Sequence, residues 1–224
     1  MAERKPKGPR RSRRGSSSGE RAQWRMTYER TPYEQLPWFE PGPSTSVRRA
    51  LEEGFLPKGA SVLDVGCGAG SNVLFLAEQG YVAHGIDLSP GAVAAARSRA
   101  ALAHLTLDVQ EGDALALPFP DGILGAVIDN GCFHTLAFSR RERYAKEVHR
   151  VLRPAGRFIL SWVAREHTAV TGPPHRPSLG EVTALFESRF LFVRTGFQPA
   201  PEEGEPSTYF AFLERRTAPY PPVR

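Results

Sequence analysis

The apolar positions of this chain change period several times, and each change marks an element. Residues 45–56, "TSVRRALEEGFL", place Val47, Ala50 and Leu51 on one helical face. "SVLDV" (61–65) is too short and too continuously apolar for a surface helix and reads as a buried strand. "SNVLFLAEQG" returns to helix and is closed by Gly80. "YVAHGID" is a second strand. "SPGAVAAARSRA" opens a helix with Ser89 as N-cap and Pro90 at the first helical position. "LTLDVQEGD" and "GILGAVIDN" are a third and a fourth strand. "SRRERYAKEVHRVL" is an amphipathic helix that stops before Pro154. "RFILSWVA" is a fifth strand, "SLGEVTALFES" a helix, and "FLFVRTGFQ" and "STYFAFLERR" are two closing strands. Strands alternating with helices predict an α/β fold: a Rossmann-like, doubly wound sheet of seven strands. The last two strands have no helix between them, so the sheet, otherwise parallel, is expected to end antiparallel at the C-terminus.

Charge separates the N-terminus from the rest. Residues 1–25 carry nine Lys and Arg and two acids, a net +7. The whole chain is +5, so the remainder is −2. "MAERKPKGPRRSRRGSSSGER" has no apolar periodicity, and residues 1–25 are expected to form a disordered basic tail. A domain is expected over 26–218, with a short C-terminal tail at 219–224. The two cysteines, Cys67 and Cys132, belong to no CxxC pair, so no metal site is expected. No apolar run reaches about 18 residues, and no signal-peptide core follows the basic start. The expectation is a cytoplasmic protein that does not associate with membranes. Its oligomeric state is not written in the sequence.

The chemistry is concentrated at strand ends. "VLDVGCGAG" runs from a strand into Asp64 and then Gly66, Gly68 and Gly70. Glycines there let the backbone turn sharply and approach a ligand without Cβ interference. The following helix offers its free amides to the same place. The spacing G-x-G-x-G departs from the G-x-G-x-x-G of nicotinamide-binding domains. Asp87 ends the second strand, where a carboxylate can accept from both hydroxyls of a ribose. Asp113 closes the third, where it can accept from the exocyclic amine of adenine.

Three acids at consecutive strand ends, with "GIDLSP", "EGDALALPFPDG" and "EVHRVLRPAGRFIL" in order, resemble the class I S-adenosylmethionine-dependent methyltransferases. The resemblance runs from about Trp38 to Arg216; Ala155 stands where the family phrase Pro-Gly-Gly has its first glycine. It implies S-adenosyl-L-methionine as cofactor. Gly66 and Gly68 would approach its methionine part, Asp87 its ribose, and Asp113 with Ala114 its adenine. Asp64, Cys67, Gly70, Leu88, Asp129 and Asn130 complete the implied cofactor set. Cys67 is read there as a small loop residue and not as a nucleophile.

The acceptor is expected beyond the fourth strand, at "DNGCFHTL" (129–136). This segment is similar to the thiopurine, thiol, halide and tellurite-resistance-type small-molecule enzymes, in which Asp-x-Gly-x-x-His recurs. "LPWFEPGPS" and "GPPHRPSLGEV" resemble two further pieces of that sub-group. The resemblance implies His134 and Asp129 as catalytic residues, and Trp38, Phe133, His134 and Arg176 around a small acceptor, with a thiol or other soft nucleophile as the expected class. Two alternatives stand beside it. One is an RNA or protein methyltransferase that uses the basic tail as an arm. The other, of a different class, is a non-catalytic cofactor-binding partner subunit.

Overall fold

The computed structural model describes residues 18–164, 175–200 and 206–218. Seven strands form one sheet: β1 Ser61–Val65, β2 Val82–Asp87, β3 Asp108–Glu111, β4 Leu124–Asn130, β5 Leu152–Val163, β6 Phe190–Gln198 and β7 Thr208–Arg215. Their order is β3-β2-β1-β4-β5-β7-β6. β1 to β5 are parallel, and β7 enters antiparallel between β5 and β6. The seven-stranded, mostly parallel sheet with an antiparallel C-terminal pair is the one the sequence pattern predicts. The order reverses at β1, so the carboxyl ends of β1 and β4 diverge there and leave a crevice.

Helices cover both faces: α1 Ser18–Arg30, α2 Thr45–Glu52, α3 Ser71–Glu78, α4 Pro90–Leu102, α5 Phe138–Val151 and α6 Leu179–Phe186. Side chains alternate along the strands, so neighbouring residues feed two separate cores. Leu63, Val127, Phe158 and Leu160 pack with Tyr144, Val148 and Phe186 on one face. Val62, Ala126, Ile128 and Ile159 pack with Val47, Val73, Val93 and Ala96 on the other. Each such buried large side chain contributes about 1.5–3 kcal/mol. Local signals agree with this packing. The Ser89 hydroxyl accepts from the Ala92 amide at 3.4 Å ahead of Pro90. Ser178 and Glu181 form a capping box at the start of α6.

Two features differ from the sequence reading. α1 begins at Ser18, so the irregular tail expected over 1–25 does not extend through 18–25; residues 1–17 and 219–224 lie outside the described residues. Composition hides this helix because only Trp24 and Tyr28, one turn apart, supply apolar packing. Pro154 does not simply follow a helix either. It lies inside β5, where Leu124 pairs with Leu152 but Ala126 pairs with Arg157, so the intervening residues bulge. Ala155 takes φ +57° in that bulge, in the left-handed region.

Candidate active site

The loop after β1 is held by backbone hydrogen bonds to β2. Gly66 and Cys67 donate to the Ile86 carbonyl at 2.8 and 2.9 Å. Gly66 and Gly68 adopt φ +71° and +54°, which favour glycine, and both are crowded. A Cβ on Gly66 would lie 2.7 Å from the Cys132 Cβ, and one on Gly68 would lie 2.9 Å from the Tyr28 hydroxyl. These glycines therefore bring three chain segments together: the loops after β1 and β4, and α1.

Asp87 organises the same region. Its Oδ2 accepts from the Gly68 amide and its Oδ1 from the Ser89 amide, both at 2.9 Å. Each oxygen keeps a second lone pair for a ligand hydroxyl. Burial pushes this carboxyl up, and the amides of Ser89, Gly68 and Leu88 work against that. Leu88 is partly buried between Asp87 and the cap of α4. Asp113 accepts from the Leu115 amide with Oδ1 and from Arg21 Nη2 with Oδ2, both at 2.9 Å. Ala114 beside it is partly buried.

Asp64 is almost fully buried at the end of β1, and its carboxyl is raised to about 8. Burial is the main cause, followed by the charge of Asp129; a hydrogen bond with Asn72 opposes them. Asp129 is pushed up as well, to about 6, by burial. Asp64, Asp87 and Asp129 thus form a crowded acidic group at the carboxyl edge of the sheet, an arrangement that a positively charged ligand would stabilise. S-adenosylmethionine carries a sulfonium and an ammonium, and its ribose suits the remaining lone pairs of Asp87. The residues present fit this cofactor. Among the described residues, no group of three His, Cys, Asp or Glu could hold a metal ion.

The sequence-predicted acceptor residues are distributed differently from expectation. Asp129, read as a reacting-end residue, is fully buried. It accepts from the Cys132 amide at 2.8 Å, the Phe133 amide at 2.9 Å and the Tyr144 hydroxyl at 2.5 Å. It is a cap for the turn over Phe133–Thr135. Phe133 is also fully buried, against Tyr144 and Phe186, and belongs to the core. Trp38 is half-exposed and lies against α1: its Nε1 donates to the Tyr28 hydroxyl at 3.4 Å and its ring meets Trp24 edge-on. Asn130 is exposed at the end of β4, beside Ser161.

His134 is nearly buried, and its Nδ1 receives the Val163 amide at 3.5 Å. Burial lowers its pKa to about 4, with Arg141 and then Arg176 adding to the shift. The ring is therefore neutral at pH 7, with its proton on Nε2. Arg141 donates to the carbonyls of Leu136 and His175 and lies over the Phe133 ring. Residues 172–174 of the expected acceptor loop lie outside the described residues, while Arg176 is partly buried close enough to bear on His134. Cys67 and Cys132 have thiols held protonated by burial, and the Cys67 sulfur turns inward toward Gly85.

Several contributors escaped the sequence reading. Tyr28 and Arg21 meet the site from α1. Arg99 donates to the carbonyls of Ala69 and Pro41 at 2.7 and 2.9 Å and fastens the segment around Trp38 to the glycine loop. The spacing of Trp24 and Tyr28 was the available signal for α1; nothing in the sequence marks Arg99.

The fold and the glycine loop with its acids resemble those of class I S-adenosylmethionine-dependent methyltransferase domains. Residues 63–160 match the family described as methyltransferase domain. The chain is 33% identical over 127 residues to a 2-heptyl-1-hydroxyquinolin-4(1H)-one methyltransferase of Mycobacteroides abscessus, covering 55% of this chain and 54% of that protein. It is 37% identical over 151 residues to a demethylmenaquinone methyltransferase of Thermus thermophilus, covering 64% of this chain and 62% of that one. The chain thus spans between half and two thirds of these relatives. In fold it resembles a solved 1,6-didemethyltoxoflavin-N1-methyltransferase of Burkholderia thailandensis, with a TM-score of 0.70, 22% identity and coverage of 89% of this chain and 88% of that one. A protein studied for the conversion of a disulfide bond into a thioacetal group during echinomycin biosynthesis superposes with a TM-score of 0.76 at 24% identity, covering 88% of this chain and 92% of that one. No helix among the described residues is long and apolar enough to cross a membrane.

Proposed function

We propose that this chain transfers the methyl group of S-adenosylmethionine to a small, weakly solvated acceptor through an acidic nucleophilic atom: a thiol, a phenol or an enol. The observation that carries the reading is the pair of acids at the ends of β1 and β2, Asp64 and Asp87, with Asp87 bonded to the glycine loop through the Gly68 amide; this suits a cationic sulfonium cofactor. When bound, that cofactor supplies an electrophilic methyl group whose departure from sulfur needs no protonation. The chain's task is alignment and exclusion of water. Asp87 orients the ribose, and Asp64 balances the positive charge. His134, neutral and protonated at Nε2, donates a hydrogen bond to the acceptor atom and holds it in line; in that tautomer it positions the acceptor and does not remove its proton. The acceptor reacts as its anion, its proton having gone to water beforehand; a thiol or an acidic enol carries a useful fraction of that form near neutral pH, and a phenol does so only where its ring substituents make it acidic. The names of the relatives, a hydroxyquinolinone methyltransferase and a demethylmenaquinone methyltransferase, support a small ring acceptor. The Asp-x-Gly-x-x-His phrase supports the thiol-type sub-group.

The test is a screen with methyl-labelled cofactor against aryl thiols, hydroxyquinolones, phenols, amines, bulk RNA and protein. Label on a small thiol, phenol or enol is expected. Label only on RNA or protein would replace this reading with the polymer-modifying one. Tight cofactor binding with no acceptor in any class would favour a non-catalytic subunit.

A further inference from the structure

α1 presents Arg21, Trp24 and Tyr28, spaced three and four residues apart, on one helical face. All three meet the cofactor side of the sheet or the segment that borders it. Arg21 Nη2 bonds Asp113 Oδ2 at 2.9 Å; the arginine is 44% exposed and the aspartate only 7%. The Tyr28 hydroxyl stands over Gly68, and its Cβ lies where a side chain on Gly91 would reach, beside the cap of α4. Trp24 meets Trp38 edge-on at 5.6 Å. The helix therefore touches the glycine loop at one end and the adenine-side acid at the other. The segment that follows it is fixed independently. Arg99 bonds the Pro41 carbonyl and lies over the rings of Tyr33 and Phe39, and the Ser71 hydroxyl donates to the Glu40 carbonyl. The contacts that fasten this segment are thus separate from those that hold α1, with the Thr31–Pro32 junction between them.

We propose that α1 is a removable wall of the cofactor cleft, latched at its adenine end by the Arg21–Asp113 ion pair, so that cofactor uptake and release require this pair to open. The inference rests on the reading of Asp113 as the adenine-side acid. One Asp113 oxygen is committed to the Leu115 amide, so the adenine amine and Arg21 address the same carboxylate. Closure of the wall and recognition of the base are coupled through that group. Tyr28 closes the ribose side in the same movement.

The experiment measures dissociation of S-adenosylhomocysteine by chase from the full chain, in wild type, Arg21→Glu and Arg21→Lys, at low and high salt. Charge reversal should raise the dissociation rate about tenfold, as expected for loss of a partly exposed charge-assisted bond. Arg21→Lys should stay within about threefold of wild type, since it keeps the charge. The wild-type rate should climb with salt while that of Arg21→Glu, whose repulsion from Asp113 is screened, should hold or fall, so that the two converge. A purely structural role for Arg21 would not produce that convergence. An Arg21→Glu rate within about twofold of wild type at low salt, or an equal salt response in both proteins, overturns the latch. A wild-type chain that binds neither S-adenosylhomocysteine nor S-adenosylmethionine overturns the cofactor reading itself, a separate and recognisable outcome.

Discussion

Two loops leave the carboxyl edge of the sheet side by side, one after β1 and one after β4, and each begins at a buried aspartate. Asp64 and Asp129 are alike in position and burial, and both are pushed up. They differ in what donates to them. Asp129 receives two backbone amides and the Tyr144 hydroxyl, and burial carries it only to about 6. Asp64 has the side chain of Asn72 as its donor and rises to about 8. A carboxylate supplied with donors by its own chain is a structural cap. One with a single side-chain donor keeps its proton to a higher pH, and on the proposed reading a cation arriving with the ligand would ionise it. The hydrogen bonds around each acid, more than its place at a strand end, separate the two roles.

The largest expected effect comes from removing the cap. Asp129→Ala strands the Tyr144 hydroxyl and two amides in the core and should cost about 3 kcal/mol of stability by urea unfolding. A variant that stays as stable as wild type while losing turnover would return Asp129 to the reacting end. Asp64→Asn should behave in the opposite way. The wild-type carboxyl is already protonated near neutral pH, so stability should hardly fall. Cofactor affinity should drop by about 1.5–3 kcal/mol, the scale of a lost interaction with a charged group, measured by calorimetry. Equal stability losses in the two variants would erase the distinction.

Titration sharpens the same contrast. The folded pKa of Asp64, about 8, lies above its unfolded value, so the folded chain holds a proton that the unfolded chain releases. Stability without cofactor should therefore fall as pH rises from about 4 to about 8, because the unfolded state binds fewer protons there. Affinity for S-adenosylmethionine should move the other way and strengthen toward pH 8, by up to about tenfold per unit, as the cation favours ionised Asp64. Calorimetric titrations at several pH values measure it, and a flat profile would contradict the assignment. His134 is lowered, to about 4, so its contribution to stability is lost only as pH falls from about 6.5 toward 4. It should add no limb to the rate profile between pH 6 and 8. The smallest effect belongs to the β5 bulge. Ala155→Gly relieves a left-handed alanine and should raise stability by about 0.5–1 kcal/mol, after the extra freedom of unfolded glycine is offset.

The fold was legible because its signals are periodic. Alternating strands and helices, the Ser89-Pro90 cap and the closing strand pair all follow from local spacing. The placement of the glycines and acids was legible for a related reason: residues at strand ends stand at fixed positions relative to the sheet. The acceptor half was not, since whether Phe133 lines a pocket or fills a core depends on Tyr144 and Phe186, far away in the chain. α1 was missed because two aromatics in a basic, Ser- and Gly-rich stretch do not register as a helix until the sheet supplies their partners.

The central claim is that the acidic glycine loop receives S-adenosylmethionine. Calorimetric titration of the full chain with S-adenosylmethionine and, separately, with NAD tests it most directly. Saturable one-site binding of S-adenosylmethionine, with no heat from NAD, is the predicted result. Binding of NAD in place of S-adenosylmethionine would contradict it.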